Sequence, residues 1–426
     1  MHGKKPFIAL ATAVLTYSVI LFAMDTRAAA QEERVLHSFS GAGTDLPVAG
    51  LILDAAGNLY GTTPYSGKEN VGVVFELSPK TGGGWAEKVL HTFSYGSPAD
   101  FRSFSSLIFD EHGNLYGTSY NGGVYGCGTV YELSPTTRGP WTEKVLHNFN
   151  DDGEDGCHPY AGLIFDSAGN LYSTTQTGGS HGEGTAFELI PQTGGGWAEK
   201  ILHNFNNNGT DGYTPNGGLL IDPTGNLYGG TYSGGAYSDG AAFELTPKTN
   251  GGWTEKILYS FYWGKGVNGG GPGGFVRDTQ GNLYGATSLG GTTFSGAVFE
   301  LSPAPGSSWT ETILYNFDIY DTGSSTNGSL IFDDAGNLYG TNVFGGAGSA
   351  VCLMFGGGTE SASCGTVFKL TQAGGAWEET TLHSFGNGRD GQMPSAGLVR
   401  DALGSLFGTT SSGGASGLGT VFEIRP

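Results

Sequence analysis

One unit of about 56 residues recurs seven times along this chain, and no other feature of the sequence restricts the fold as tightly. Its most regular mark is Gly-Asn-Leu-Tyr, whose asparagine falls at Asn58, Asn114, Asn170, Asn226, Asn282 and Asn337, with Ser405 in the seventh place. Successive spacings are 56, 56, 56, 56, 55 and 68, so only the last departs, through an insertion placed at residues 347–363. A fixed period of this length belongs to modular arrays, in which each unit buries its apolar face against its neighbours.

Each copy holds four short stretches rich in Tyr, Phe, Val, Ile and Thr, bounded by Gly, Pro, Asn and Ser clusters, and these read as strands. In the third copy they are A at 162–166, B at 170–174, C at 184–189 and D at 197–205. No window sustains a helical period. Four-stranded units repeated seven times predict an all-β fold, a seven-bladed β-propeller over residues 31–426. The last copy runs through A, B and C without a D strand, while residues 33–39 read as a D strand with no A to C before them. The N-terminal strand is therefore expected to pair antiparallel with residues 420–424 and close the ring, hiding edges that an open sheet would expose.

Charge placement agrees with this order. Strands A to C carry almost no Lys or Arg, whereas D repeats Glu-Lys at 87–88, 143–144, 199–200 and 255–256. Such pairs belong on an outermost strand, where charge discourages edge-to-edge association. Strand A is then expected innermost, as a short apolar run between blades. The 78 glycines suit tight turns and close approach of sheets.

Lys4 and Lys5 precede an apolar run at 7–24 and then Ala28-Ala29-Ala30, a small-residue cleavage site. Residues 1–30 read as a signal peptide, and the protein as secreted to the periplasm or the cell exterior. The run borders on the length of a membrane span, so membrane association is expected only if the segment stays uncleaved. Cleavage removes three basic side chains and one acidic one, leaving 16 basic against 38 acidic and a net charge of −22. That sign argues against nucleic acid or anionic lipid as a partner. A soluble monomer is expected.

The four cysteines suit an oxidising compartment. Cys352 and Cys364 bracket the insertion. Cys127 lies in the B–C loop of blade two, and Cys157 in the D–A loop entering blade three. Those two loop types emerge on one face of an up-and-down blade, so the preferred pairing is Cys127–Cys157 and Cys352–Cys364, one of three connectivities. No zinc-type Cys/His spacing is present.

The string Gly-Asn-Leu-Tyr-Gly-Thr-Thr, a Gly-rich loop, then Gly-Thr-Val-Phe-Glu-Leu resembles the GloVer tandem repeat of bacterial surface and secreted proteins. Residues 57–77, 113–133 and 404–424 show it best. The resemblance implies an exported bacterial repeat protein and brings no established activity with it. Many relatives carry a C-terminal surface anchor, whereas here the chain reads as strand C up to Pro426, which departs from that pattern.

Several residue types look chemical until the copies are aligned. His37, His91, His147, His203 and His383 occupy one D-strand position, filled elsewhere by Tyr259 and Tyr315. A catalytic or metal role spread over seven equivalent sites is not expected, and a half-buried aromatic with a polar handle is. The aspartates ending strand A (Asp54, Asp110, Asp166, Asp222, Asp278, Asp333 and Asp401) read as Asx-type turn formers. Asp-Gly recurs before strand A at Asp155, Asp211 and Asp390. It reads as a turn, with a partial ring of oxygen ligands for Ca²⁺ as the alternative.

Function is sought where the symmetry breaks. The A–B and C–D loops are nearly uniform, whereas the B–C and D–A loops vary and carry the insertion and the cysteines. Tyr262, Trp263 and Lys265 lie there, Trp263 being the one tryptophan away from the D-strand position. His158, His181 and Glu183 gather around blade three. The expected function is a binding or scaffold module for an extracellular glycan, peptide or protein, with Tyr262, Trp263 and Lys265 as ligand contacts and no required cofactor. The alternative is a propeller lyase or hydrolase using His158, His181 and Glu183 as acid and base at the channel mouth.

Overall fold

The computed structural model describes residues 32–41, 46–67, 69–94, 102–263, 269–306, 308–346, 352, 364–386 and 389–425. The segment at 1–30 that reads as a signal peptide, Lys265 and most of the insertion at 347–363 lie outside them. Among the described residues no helix is long and apolar enough to cross a membrane.

The chain forms a seven-bladed β-propeller of antiparallel sheets, each ordered A-B-C-D. Blade one comprises A Ile52–Leu53, B Leu59–Thr63, C Val73–Pro79 and D Trp85–Thr92. The D strands of blades two to six are Thr142–Asn148, Trp197–Asn204, Trp253–Ser260, Trp309–Asn316 and Ala376–Ser384. Blade seven takes A, B and C from Val399–Arg400, Leu406–Thr410 and Thr420–Arg425, and its D strand from Glu32–Ser38. The register is antiparallel, with Glu33 opposite Ile424, Val35 opposite Phe422 and Ser38 opposite Thr420. The expected closure is what the structure shows.

Strand A is shorter than the five residues expected, pairing over only two in every blade. The chain just before it converges on its counterparts in neighbouring blades, backbone against backbone. A Cβ on Gly217 would stand 2.6 Å from the backbone of Gly273, and one on Gly328 2.5 Å from that of Ala396. Crowding of this kind leaves little room for a longer ladder.

Seven apolar seams between blades hold the ring together. Each D strand ends in a fully buried phenylalanine that meets an aromatic ring on strand C of the next blade, with centroids 4.9–5.4 Å apart. The series includes Phe39 against Phe75, across the closure. Strand B makes room for these rings by carrying glycine. A Cβ on Gly61 would fall 2.7 Å from Phe75 Cζ, and one on Gly229 2.5 Å from Phe243 Cζ. Blade three alone has a side chain there, Ser173, whose hydroxyl donates to the Gly162 carbonyl.

Every D strand also carries a bulge that sets two of its residues against one of strand C. In blade seven the extra residue is Leu36, between Val35 and His37. The alternation shifts by one, so Leu36 and Phe39 join the core of the seam with blade one while His37 Nε2 reaches Glu87, 3.5 Å away. The D-strand histidines are half-buried and lie edge-on to the phenylalanine two residues on, as expected.

The A–B turns are Asx turns, again as expected. Asp54 Oδ1 accepts from the backbone of Ala56 and Asn58, and Oδ2 accepts from Asn58 Nδ2 and the Tyr60 hydroxyl. Burial opposes ionisation of this carboxyl, but these donors outweigh it and pull its pKa below the usual range.

Candidate functional site

At each junction between blades, one residue of the D–A loop is tied to the preceding B–C loop, and at His158 the following B–C loop holds it as well. His158 N donates to the Cys127 carbonyl at 2.8 Å, and Gln176 N donates to the His158 carbonyl at 3.0 Å. Leu46, Arg102, Thr214, Gly271, Ser325 and Met393 take the same place, each donating to a carbonyl of the preceding B–C loop. All seven have left-handed φ between 51° and 62°, although six are not glycine. For an L residue that conformation costs about 1–2 kcal/mol, and the flanking hydrogen bonds hold it there. One disulfide crosses a junction, Cys127–Cys157 with Cα atoms 4.7 Å apart, and a second, Cys352–Cys364 with 5.4 Å, closes the B–C loop of blade six. The pairing is the one preferred from the sequence, and it suits an oxidising compartment. His158 and Arg102 thus stand on a tied backbone.

Exposed aromatics are confined to the same face. Tyr125, Tyr232, Tyr237, Tyr262, Trp263, Phe294 and Tyr320 all stand at B–C or D–A connections, and among the described residues no other large aromatic is exposed. Four of them gather between blades four and five. The rings of Tyr237 and Tyr262 are 5.1 Å apart, and Trp263 N donates to Asp239 Oδ2. Tyr232 and Trp263 lie against the glycine backbone of strand Gly269–Pro272, because a Cβ on Gly271 or Gly270 would meet their rings at 2.8 and 3.2 Å. Only a glycine pair lets both rings approach the chain so closely.

A second aromatic group spans blades one to three. Phe104 stacks with Tyr160 at 5.6 Å and meets Tyr65 and Tyr120 edge-on. Arg102 lies 4.8 Å from the centre of the Tyr65 ring. His158 belongs here, stacked on Tyr120 at 4.7 Å with Nδ1 2.9 Å from the Thr177 hydroxyl. Burial lowers its pKa, only partly offset by Asp151.

Tyr262 and Trp263 are thus exposed, in contact with the aromatic group, and Lys265 lies outside the described residues. His158, His181 and Glu183 are not joined to one another by any hydrogen bond, ion pair or ring contact. His181 instead lines a cavity of about 350 Å³ with His203, Asp211 and Glu255. A larger cavity of about 650 Å³ lies among the A–B turns of blades three and four. Its polar walls are already committed, Asp166 to Asn170 and Tyr172, and Glu188 to Tyr172 and Lys200.

The structure joins two features that the sequence left separate. His147 of blade two, Asp155 of the following loop and Glu199 of blade three converge, as do His203, Asp211 and Glu255 one blade further on. Each histidine Nε2 is 3.0 Å from the aspartate Oδ2 and 3.6 Å from the glutamate Oε1. Burial, reinforced by the neighbouring aspartate, pushes both glutamate carboxyls well above their usual range. Asp155, Asp211 and Asp390 each turn to the histidine of their own blade, so they do not share one ring of oxygen ligands.

The Gloeobacter/Verrucomicrobia repeat matches residues 20–153 and 103–354. No curated protein matches the chain in sequence. Among solved structures, the chain is similar to the extracellular domain of a protein described as a hybrid two-component system of B. thetaiotaomicron, at 12% identity and a TM-score of 0.53. That likeness covers 92% of this chain and 41% of the other, and it shows the shared fold alone. Weaker likenesses are to a gluconolactonase of Xanthomonas campestris (14% identity, TM-score 0.41, covering 72% of this chain and 85% of that one) and to a luciferin-regenerating enzyme (15%, 0.42, 75% and 90%).

Proposed function

This chain belongs to the Gloeobacter/Verrucomicrobia repeat family, and from that premise we propose that it is an exported propeller that binds an extracellular glycan or protein surface through its B–C and D–A loops. One observation carries the reading: among the described residues the exposed aromatics are confined to that face. Tyr232, Tyr237, Tyr262 and Trp263 offer apolar ring surface on a backbone held by glycine contacts and junction hydrogen bonds. A preordered aromatic platform of this kind suits stacking against sugar rings, because little side-chain freedom is lost on binding. Lys265 follows it in sequence as a charged neighbour. The apolar segment at 7–24 and the two disulfides support export. The acid–base alternative has less support, since His158 is engaged by Thr177 and Tyr120 while His181 opens onto a cavity beside blade four.

The test is a screen of oligosaccharides and cell-surface extracts against the wild type and Trp263→Ala. Loss of a stacking anchor is expected to weaken binding by about 1–3 kcal/mol without unfolding the protein. Equal binding by Trp263→Ala and by Tyr237→Ala would overturn the proposal.

A further inference from the structure

We propose that the His147–Asp155–Glu199 and His203–Asp211–Glu255 clusters bind borderline divalent cations of the Zn²⁺ class, which fasten the outer strands of neighbouring blades to one another. In each cluster three ligand atoms from three separate segments lie within 4.8 Å of one another. The separations of 3.0 and 3.6 Å around the imidazole nitrogen bracket the spacing of about 3.3 Å between two ligands of a tetrahedral ion at about 2.0–2.1 Å from each.

Satisfaction of the polar atoms is a separate reason. Nε2 carries at most one proton, yet two carboxylates face it. In the second cluster Asp211 is only 7% exposed. Its Oδ2 accepts from Asn206 N, while its Oδ1 and Glu255 Oε1 are buried with no donor. In the first cluster Oε1 of Glu199 is likewise buried without a donor. Were both carboxyls ionised beside a neutral histidine, two negative charges would be buried together, and uncompensated burial of that kind is costly. A divalent cation cancels both charges and gives the bare oxygens a partner. The backbone amides of Asn150 and Asn206 already fix the aspartates, as outer-shell partners of a ligand should.

The donor set selects the ion. Ca²⁺ takes six to eight oxygens, whereas an imidazole with two carboxylates suits Zn²⁺ and its neighbours. The fourth position of the second site faces the cavity whose wall carries His181.

The chain varies these residues at other seams. Where tyrosine replaces the histidine, the Tyr259 hydroxyl donates directly to Glu311 Oε2 at 2.9 Å, while Glu311 Oε1 is also buried without a donor. At the seam between blades six and seven the corresponding residues are His383, Asp390 and Glu33, whose ligand atoms do not all come within 4.8 Å of one another. His383 Nε2 is 3.2 Å from Asp390, and Glu33 Oε1 is buried without a donor.

The experiment uses untagged full-length protein stripped with a chelator and titrated with Co²⁺, followed by visible d–d absorption and by metal analysis after gel filtration. Two ions per chain are expected, falling by one in Asp155→Asn and by one in Asp211→Asn. His112→Gln, which alters an exposed histidine, should retain the wild-type number. Glu199→Gln and Glu255→Gln supply second variants, and circular dichroism verifies that each is folded. Wild-type protein that retains no Co²⁺ or Zn²⁺, or an Asp155→Asn/Asp211→Asn double variant that is folded and binds as many ions as wild type, would overturn the proposal.

Discussion

Replacing Phe39 by alanine should test whether the ring is closed as described. Its ring is fully buried, 5.4 Å from Phe75, and shares a core with Leu36, Leu77 and Val421. Removing a buried phenylalanine ring typically costs about 3–5 kcal/mol, from lost transfer free energy and the cavity left behind. Phe205 is the matched control, equally buried and 5.1 Å from Phe243 in an internal seam. Equilibrium unfolding in urea should show losses of similar size for Phe39→Ala and Phe205→Ala, because the seams are built alike. Hydrogen exchange should separate them. The strand Glu32–Ser38 is held to blade seven by backbone pairing with Thr420–Arg425, so Phe39→Ala should speed exchange at residues 33–38 and Phe205→Ala should not. A cost below about 1 kcal/mol for Phe39→Ala with unchanged exchange would refute closure through this seam, since a buried ring in a packed core cannot be removed so cheaply.

Other consequences follow from the same packing. Gly229→Ala places a Cβ 2.5 Å from Phe243 Cζ and 2.9 Å from Leu219 Cδ2, so it should cost about 1–3 kcal/mol in thermal unfolding. Gly196→Ala, with nothing within 4 Å, should stay within about 0.5 kcal/mol of wild type. Cys127→Ser/Cys157→Ser should lower stability by about 2–5 kcal/mol, read from urea unfolding. The turn carboxyls of Asp54, Asp110, Asp166, Asp222 and Asp333 have lowered pKa values, burial being outweighed by their hydrogen-bond donors. Their contribution is fully present above the ordinary aspartate range and is lost as the pH falls through and below it. Thermal unfolding between about pH 5 and pH 2 should show this loss, less steeply in Asp166→Asn.

The architecture was legible because a repeat writes the same instruction seven times. Blade count, strand order, the closing pair and both disulfides all followed from period, charge placement and complementary ends. The length of strand A was not legible, because backbone crowding around Gly217 and Gly328 is a property of the assembled ring. Nor was the D-strand bulge, which turns Leu36 and His37 toward the next blade and leaves no mark in composition. Of the aromatic group, Tyr262 and Trp263 were found as a break in symmetry. Tyr232 and Tyr237 were missed because they lie in another loop, brought near by Gly270 and Gly271. Comparing B–C loops copy by copy shows tyrosine at both positions in blade four (Tyr232 and Tyr237) and in blade two (Tyr120 and Tyr125), where blade three has Gln176 and His181. The His–Asp–Glu clusters were harder to see. His203 and Glu199 share a strand yet serve opposite seams, so each triad is assembled from two blades and the loop between them.

The proposed binding face is tested most directly by mapping hydrogen exchange with and without the oligosaccharide or surface component that binds tightest in the screen. The account predicts slowed exchange at residues 232–240, 262–263 and 269–272, with the Gly-Asn-Leu-Tyr turns unchanged. Protection confined to those turns, around Asp166 and Asp222 beside the larger cavity, would contradict it.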